Sequence, residues 1–244
     1  MKIIEKVLEL VFPSNIYCIC CGSAIDKTRD YALCDQCVKK FYWIDNKTCS
    51  KCGKILEEEY WRDCCEDCIT NDHIFDKGFT CARYGLYERV VMMEYKYSDK
   101  SYIGNKLGDI LYDRIVIEEL DFNVIISIPI HKKRMEKRGF NQAEIMAKRL
   151  SYRLGKDVFR DFMIRVIDTV PMKNLGIAER RENVKNSFVL KKEAIKEISG
   201  KNVLLIDDIY TTGSTFDSAA EVLKKNGANK VYILTFAAGG NVIK

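Results

Sequence analysis

Residues 203–215 read Val-Leu-Leu-Ile-Asp-Asp-Ile-Tyr-Thr-Thr-Gly-Ser-Thr, and this order constrains the fold more than any other stretch of the chain. Four consecutive aliphatics, Val203 to Ile206, predict a strand buried on both faces, which belongs in a parallel sheet covered by helices on both sides. Two carboxylates, Asp207 and Asp208, follow at its carboxyl end. A short loop of hydroxyl residues and glycine comes next: Thr211, Thr212, Gly213, Ser214 and Thr215. Phe216, Ala219, Ala220 and Leu223 then recur at helical spacing as far as Gly227, which predicts a helix ending there. In open α/β sheets, ligands bind beyond the carboxyl ends of the strands. A helix start offers unpaired N–H groups and the positive end of its dipole, which suit a phosphate. Gly213 allows close backbone approach, and the hydroxyls add donors. Carboxylates repel phosphate, so the acid pair suits a sugar diol or a magnesium ion. Together these groups read as a receptor for a 5-phosphorylated ribose. The bland alternative is an ordinary strand–turn–helix with solvated acids.

This run resembles the phosphoribosyl pyrophosphate (PRPP) motif of type I phosphoribosyltransferases: an apolar run, Asp-Asp, two residues, then Thr-Thr-Gly-Ser-Thr. That order is far more specific than a bare glycine loop.

The N-terminal third has a different organisation. Cys18, Cys21, Cys34 and Cys37 form one set, and Cys49, Cys52, Cys65 and Cys68 repeat its spacing 31 positions later. Gly22 and Gly53 keep the same offset, so the segment is an internal repeat. Each set has the C-x2-C knuckle spacing of a four-thiolate zinc ribbon, and two structural Zn²⁺ ions are expected. Four thiolates close the coordination shell and leave no position for catalysis. Disulfides are disfavoured by the odd count of 11 cysteines and by the attached nucleotide-type domain. Cys20 and Cys64 are adjacent thiols able to compete as ligands. Cys81 reads as a small buried hydrophobe, and His73 in the following linker is a further candidate ligand. The expected division is an N-terminal helix and double zinc ribbon over 1–76, then the α/β domain over 77–244.

Charge sharpens the picture. Eight thiolates and two Zn²⁺ reduce the formal net charge of +5 to +1, so the holoprotein is nearly neutral. Residues 131–185, however, hold 15 Lys/Arg against 7 Asp/Glu, a net of +8. Lys132, Lys133, Arg134, Lys137 and Arg138 crowd into seven positions of it. This is either a solvated basic loop and helix start or a polyanion site for pyrophosphate or a nucleic-acid backbone. Phe140, Tyr152, Phe159 and Phe162 are the aromatics available to stack bases. No apolar run reaches the ~18 residues of a membrane span. Ile4, Val7, Leu8 and Val11 mark a short amphipathic helix, and the charges among them argue against a signal peptide. A cytoplasmic protein without membrane insertion is expected.

Residues 123–130 predict a second buried strand, ending at Pro129, and residues 230–236 a third. Helices are predicted over 100–120 and 141–154. Alternating strands and helices imply a parallel sheet with helices on both faces. The stretch 160–190 shows little periodicity, carries Arg165, Pro171, Arg180 and Arg181, and reads as a mobile basic loop able to act as a lid.

Taken together, these features resemble the competence protein F (ComF) proteins, which pair a double zinc ribbon with a phosphoribosyltransferase domain. Lys96-Tyr97, Arg138-Gly139-Phe140-Asn141-Gln142, and Leu175, Arg180, Asn183 and Phe188 match positions of the family pattern. Met172, two residues after Val170, departs from it by replacing a glutamine, which puts a glutamine-dependent contact in doubt. The resemblance implies a type I phosphoribosyltransferase-like sheet. It implies Pro129, Ile130, His131 and Lys132 as the pyrophosphate loop, helped by Arg134 or Arg138. Asp207 and Asp208 would hold the ribose hydroxyls directly or through Mg²⁺, and Thr211 to Thr215 the 5-phosphate. It further implies single-stranded DNA as a partner along Lys132, Lys133, Arg134, Lys137, Arg138 and Arg180, and other DNA-uptake proteins beside it. Three functions are compatible with these residues: a PRPP-binding protein serving DNA uptake, an active phosphoribosyltransferase of unknown acceptor, and a PRPP-sensing regulator.

Overall fold

The computed structural model describes residues 16–44, 47–98, 100–168 and 177–239, with backbone alone at 177, 178, 180 and 181. The N-terminal amphipathic segment lies outside these residues, as do Val170, Pro171, Met172 and Leu175.

Aliphatic runs form the centre. Val203–Tyr210 (β5) and Val231–Ala238 (β6) are the long inner strands, and every residue of β6 is buried. Val124–Ser127 (β2) flanks β5, and Lys77–Arg83 (β1), a strand not anticipated from the sequence, flanks β6. All three pairings are parallel, in the order β1-β6-β5-β2. The predicted strand at 203–206 therefore runs further than expected and carries both aspartates, with Asp207 in register with Thr235 and Ile209 with Ala237. The second predicted strand is shorter and stops at Ser127.

Helices cover both faces. On one lie Leu86–Tyr97 (α1), Ile103–Ile117 (α2) and Gln142–Arg153 (α4), the last two close to the predicted bounds. On the other lies Ser214–Lys225 (α6), which buries Phe216, Ala219, Ala220 and Leu223 and ends before Gly227, as its spacing predicted. Each fully buried aliphatic or aromatic side chain is worth ~1.5–3 kcal/mol, so this one stripe is enough to hold α6 to the sheet.

The described parts of 160–190, residues 160–168 and 177–190, are not a featureless lid. Met163–Arg165 (β3) pairs antiparallel with Phe188–Leu190 (β4), and Ile177–Val184 (α5) stands between them. Met163 and Phe188 are buried, and Ser218 Oγ of α6 donates to the Val184 carbonyl at 2.7 Å. β3 and β4, at three residues each, are too short for a strand period to show, and tertiary packing supplies their order.

The two ribbons straddle the edge strand β1. The linker between them pairs with it: Ile44 N–H donates to the Cys81 carbonyl at 3.0 Å, and Arg83 N–H to the Tyr42 carbonyl at 2.8 Å. This covers an edge that would otherwise be open to pairing with another chain. Gly78 N–H also donates to the Lys51 carbonyl at 2.7 Å, and a Cβ on Gly53 would sit 2.6 Å from the Gly78 oxygen. Glycine at both positions is what lets the second ribbon lie backbone to backbone on β1. The first ribbon packs with α1, α2 and α4; the second shares a core with β3, β4 and α6. Cys81 is buried in the core shared with the first ribbon, as expected of a packing residue.

Candidate functional site

The two cysteine sets converge as their spacing required. The sulfurs of Cys18, Cys21, Cys34 and Cys37 lie within 4.8 Å of one another, and so do those of Cys49, Cys52, Cys65 and Cys68. Zn–S bonds of about 2.3 Å in a tetrahedron place sulfurs about 3.8 Å apart. The Cys21–Cys34 and Cys52–Cys65 separations are 3.8 Å and 3.7 Å, so both sets fit zinc. Cys20 and Cys64 stand outside the sets; Cys64 Sγ lies 3.1 Å from Ser50 Oγ instead. His73 is not a ligand either. Its ring is buried 2.8 Å from Asp217 and 3.3 Å from the Tyr210 hydroxyl, at the foot of the 211–215 loop.

At the carboxyl end of the sheet, the two sequence-predicted loops leave neighbouring strands. β2 and β5 are neighbours, with Ser127 opposite Ile206, and Ile128 N–H donates to the Ile206 carbonyl at 2.8 Å. The loop Pro129 to Lys132 therefore begins beside Asp207. The Arg-Gly-Phe-Asn-Gln signature shapes the turn that follows. Gly139 takes φ +77° to end the helix Lys132–Arg138 (α3). Asn141 caps α4 by accepting from Ala143 N–H at 3.2 Å, and its amide donates to the Ile128 carbonyl at 3.1 Å. Arg138 donates to Gln142 at 3.1 Å, and the Gln142 carbonyl accepts from the buried Tyr95 hydroxyl at 2.8 Å. The signature thus anchors the loop and helix to the end of β2.

Successive strand residues face opposite sides of a sheet, and the acids meet different partners. Asp208 forms an ion pair with Lys96 of α1 at 2.5 Å. Asp207 accepts from Asp208 N–H at 2.8 Å. Burial, then the neighbouring Asp208 charge, pushes the Asp207 carboxyl up to about 7, against the opposing pull of Lys96 and Arg165. Arg165 of β3 is itself buried, lies over the Phe188 ring, and is pushed down to about 10 by burial and by Arg134. Lys96 and Arg165 are the site residues that the sequence placed least clearly. Lys96 was visible only as part of a family pattern, and Arg165 only as a charge in an unstructured stretch.

The basic run divides. Lys132, Lys133 and Lys137 are exposed, whereas Arg134 and Arg138 are partly buried, and Arg138 lies over the Tyr97 ring. Lys133 pairs with Asp168 at 3.3 Å, and His131, which caps α3, lies 3.6 Å from the same carboxylate. The Arg180 side chain lies outside the described residues. In the 211–215 loop, Gly213 adopts φ +77° at the start of α6, and Thr212 and Ser214 hydroxyls are 2.9 Å apart. Ser214 is buried, Thr212 and Thr215 are partly buried, and Thr211 is exposed. A Cβ on Gly213 would meet His73 and Tyr210 at 2.6 and 2.7 Å. The glycine is therefore required by packing behind the loop as well as by φ.

This geometry, four parallel strands with an acid pair and a glycine-hydroxyl turn at their carboxyl end, defines a phosphoribosyltransferase-type domain carried beside a double zinc ribbon. Family models agree: the double zinc ribbon domain matches residues 7–87 and the phosphoribosyl transferase domain residues 135–242. Competence protein F of Haemophilus influenzae is 27% identical over 90% of this chain and 95% of its own length. DNA utilization protein YhgH of Escherichia coli O157:H7 is 26% identical over 83% of this chain and 88% of its own. Competence protein ComFC of Bacillus subtilis is 26% identical over 81% and 80%. Over most of its length the chain is thus similar to the competence protein F and YhgH proteins. Among the described residues, no helix is long and apolar enough to cross a membrane.

Proposed function

We propose that this protein binds PRPP or another 5-phosphorylated ribose with Mg²⁺ at the ends of β5 and β2, and serves DNA uptake by handling single-stranded DNA. The observation that carries the first part is the Asp207–Asp208 pair set directly before the Gly213 turn and beside the Pro129 loop. Asp207 and Asp208 would accept from the ribose hydroxyls or hold Mg²⁺, which neutralises charge on the diphosphate. Thr211 to Thr215 and the free N–H groups of the first turn of α6 would donate to the 5-phosphate. Lys96 pairs with Asp208, so a ribose hydroxyl or a cation would share or replace that charged partner.

The DNA role rests on the exposed Lys132, Lys133 and Lys137 and on the names of the relatives. Phosphate contacts of this kind are sequence-independent and salt-sensitive. A second reading, phosphoribosyl transfer, is favoured by one observation. Burial, then Arg138, holds the Arg134 guanidinium below its ordinary range, and burial, then Arg134, does the same to Arg165 near Asp207; an anion beside these guanidiniums relieves that crowding. A leaving pyrophosphate is such an anion, and cations positioned for it lower the barrier.

Calorimetry with Mg²⁺–PRPP, ribose 5-phosphate and a short single strand, each in turn, tests these parts. Binding of the first two is expected at sub-millimolar concentration. Absence of both at millimolar concentration rejects the ribose-phosphate site and, with it, transfer. DNA affinity that does not change with salt rejects the lysine patch.

A further inference from the structure

We propose that His73 is a positioning residue for the ribose-phosphate loop, and that the second zinc ribbon, but not the first, sets that loop's geometry; this rests on the ribose-phosphate reading above. His73 leaves the second ribbon five residues after its last cysteine, Cys68. Its Nδ1 lies 2.8 Å from Asp217 Oδ2 and its Nε2 3.3 Å from the Tyr210 hydroxyl. With the proton on Nδ1, the ring donates to Asp217 and accepts from Tyr210, so both nitrogens are satisfied. The next residue, Ile74, donates its backbone N–H to Asp217 Oδ1 at 2.8 Å. The strap thus holds both carboxylate oxygens.

Tyr210 and Asp217 bracket the loop. Asp217 N–H donates to the Gly213 carbonyl at 2.8 Å, closing the first turn of α6. The ring of His73 fills the space directly behind Gly213, with Cε1 2.6 Å from where a Cβ would stand. The arrangement also answers an electrostatic conflict. A carboxylate in the first turn of α6 repels an incoming phosphate, and His73 and Ile74 draw it onto the ribbon side.

The ribbon reinforces this contact. Phe75 is buried, stacks on His73 at 4.8 Å between centroids, and meets Tyr210 edge-on at 6.2 Å. Lys54, nearly buried and paired with Asp67 at 2.5 Å, lies 5.3 Å from the Tyr210 ring centre. Cys49, Cys52, Cys65 and Phe75 share one hydrophobic core with Tyr210 and Phe216, whereas the buried cysteines of the first ribbon, Cys18 and Cys37, belong to the other core.

The test compares zinc-loaded wild type, His73→Ala and His73→Asn with Cys65→Ser and Cys34→Ser, each of which removes one ligand from one ribbon, all as full chains. Ribose 5-phosphate affinity is measured by calorimetry, amide exchange at residues 211–216 and 132–139 by mass spectrometry, and folding by thermal melting. His73→Ala is expected to bind about tenfold more weakly, the loss of one charge-linked contact. Exchange should quicken at 211–216 and not at 132–139. Asparagine keeps a donor near the Nδ1 position, so His73→Asn should recover most of the affinity. Cys65→Ser should reproduce the His73→Ala defect and Cys34→Ser should not. Unchanged affinity in His73→Ala, equal loss in both cysteine variants, or faster exchange at both segments overturns the proposal and leaves the ligand site standing. If wild type binds no ribose 5-phosphate, the proposal and the ligand reading fall together.

Discussion

Replacing Asp207 by asparagine tests whether the acid pair holds strain that a cation would relieve. Burial and the Asp208 charge lift the Asp207 carboxyl from 3.8 to about 7 in the folded protein. In the unfolded chain it titrates near its ordinary value. Between about pH 4 and pH 7 the folded state therefore keeps a proton that the unfolded state has lost, and stability falls as pH rises through that window. Above it, the folded charged form carries the whole cost, on the order of 4 kcal/mol. Asparagine still offers an oxygen to the Asp208 N–H, 2.8 Å away, and cannot ionise. Urea unfolding should find Asp207→Asn more stable than wild type at pH 8 by up to about 4 kcal/mol, with the gap less than half as large at pH 5. Mg²⁺ would need the charged form, so wild-type affinity for Mg²⁺–PRPP should rise toward pH 7. Binding near neutrality should then release a proton, seen as heat that varies with the buffer's ionisation enthalpy. A variant no more stable than wild type at pH 8, together with buffer-independent heats, would refute this reasoning.

Further outcomes follow from the same contacts. Metal analysis should find two zinc ions per chain, and because such sites couple ~10–16 kcal/mol of binding to folding, chelation should unfold 18–68 before the sheet melts, as read by amide exchange. Changing Lys132, Lys133 and Lys137 together to glutamate should weaken single-stranded DNA binding for every sequence tried and flatten its salt dependence; an unchanged slope in a filter-binding or anisotropy titration would mark the patch as solvated surface only. Gly213→Ala and Gly139→Ala both place a side chain at φ +77°, at ~1–2 kcal/mol for the backbone. Only the former also collides with His73, so thermal melts should show the larger loss there, whereas Gly139 has nothing within 4 Å of its added Cβ.

Patterns that depend on neighbours along the chain were legible without coordinates. The 31-residue cysteine offset, the four aliphatics before Asp207 and the small and apolar face of α6 each arise from local geometry, because helix, strand and knuckle periods are properties of consecutive residues. Three things depended on the tertiary structure. β3 and β4 are three residues each, too short to show a period, and gain their order from pairing and packing. The basic run looked uniform as a sequence, yet helix α3 turns Arg134 and Arg138 inward and leaves its lysines in solvent, which spacing alone does not reveal without knowing what the helix faces. Most of all, His73 and Asp217 are 144 residues apart, and Lys96 and Asp208 belong to different layers. A strand's aspartate acquires a lysine partner, and a linker histidine comes to rest behind a glycine, only when the sheet brings separate crossovers to the same end, because contacts between distant residues are fixed by packing and not by propensity.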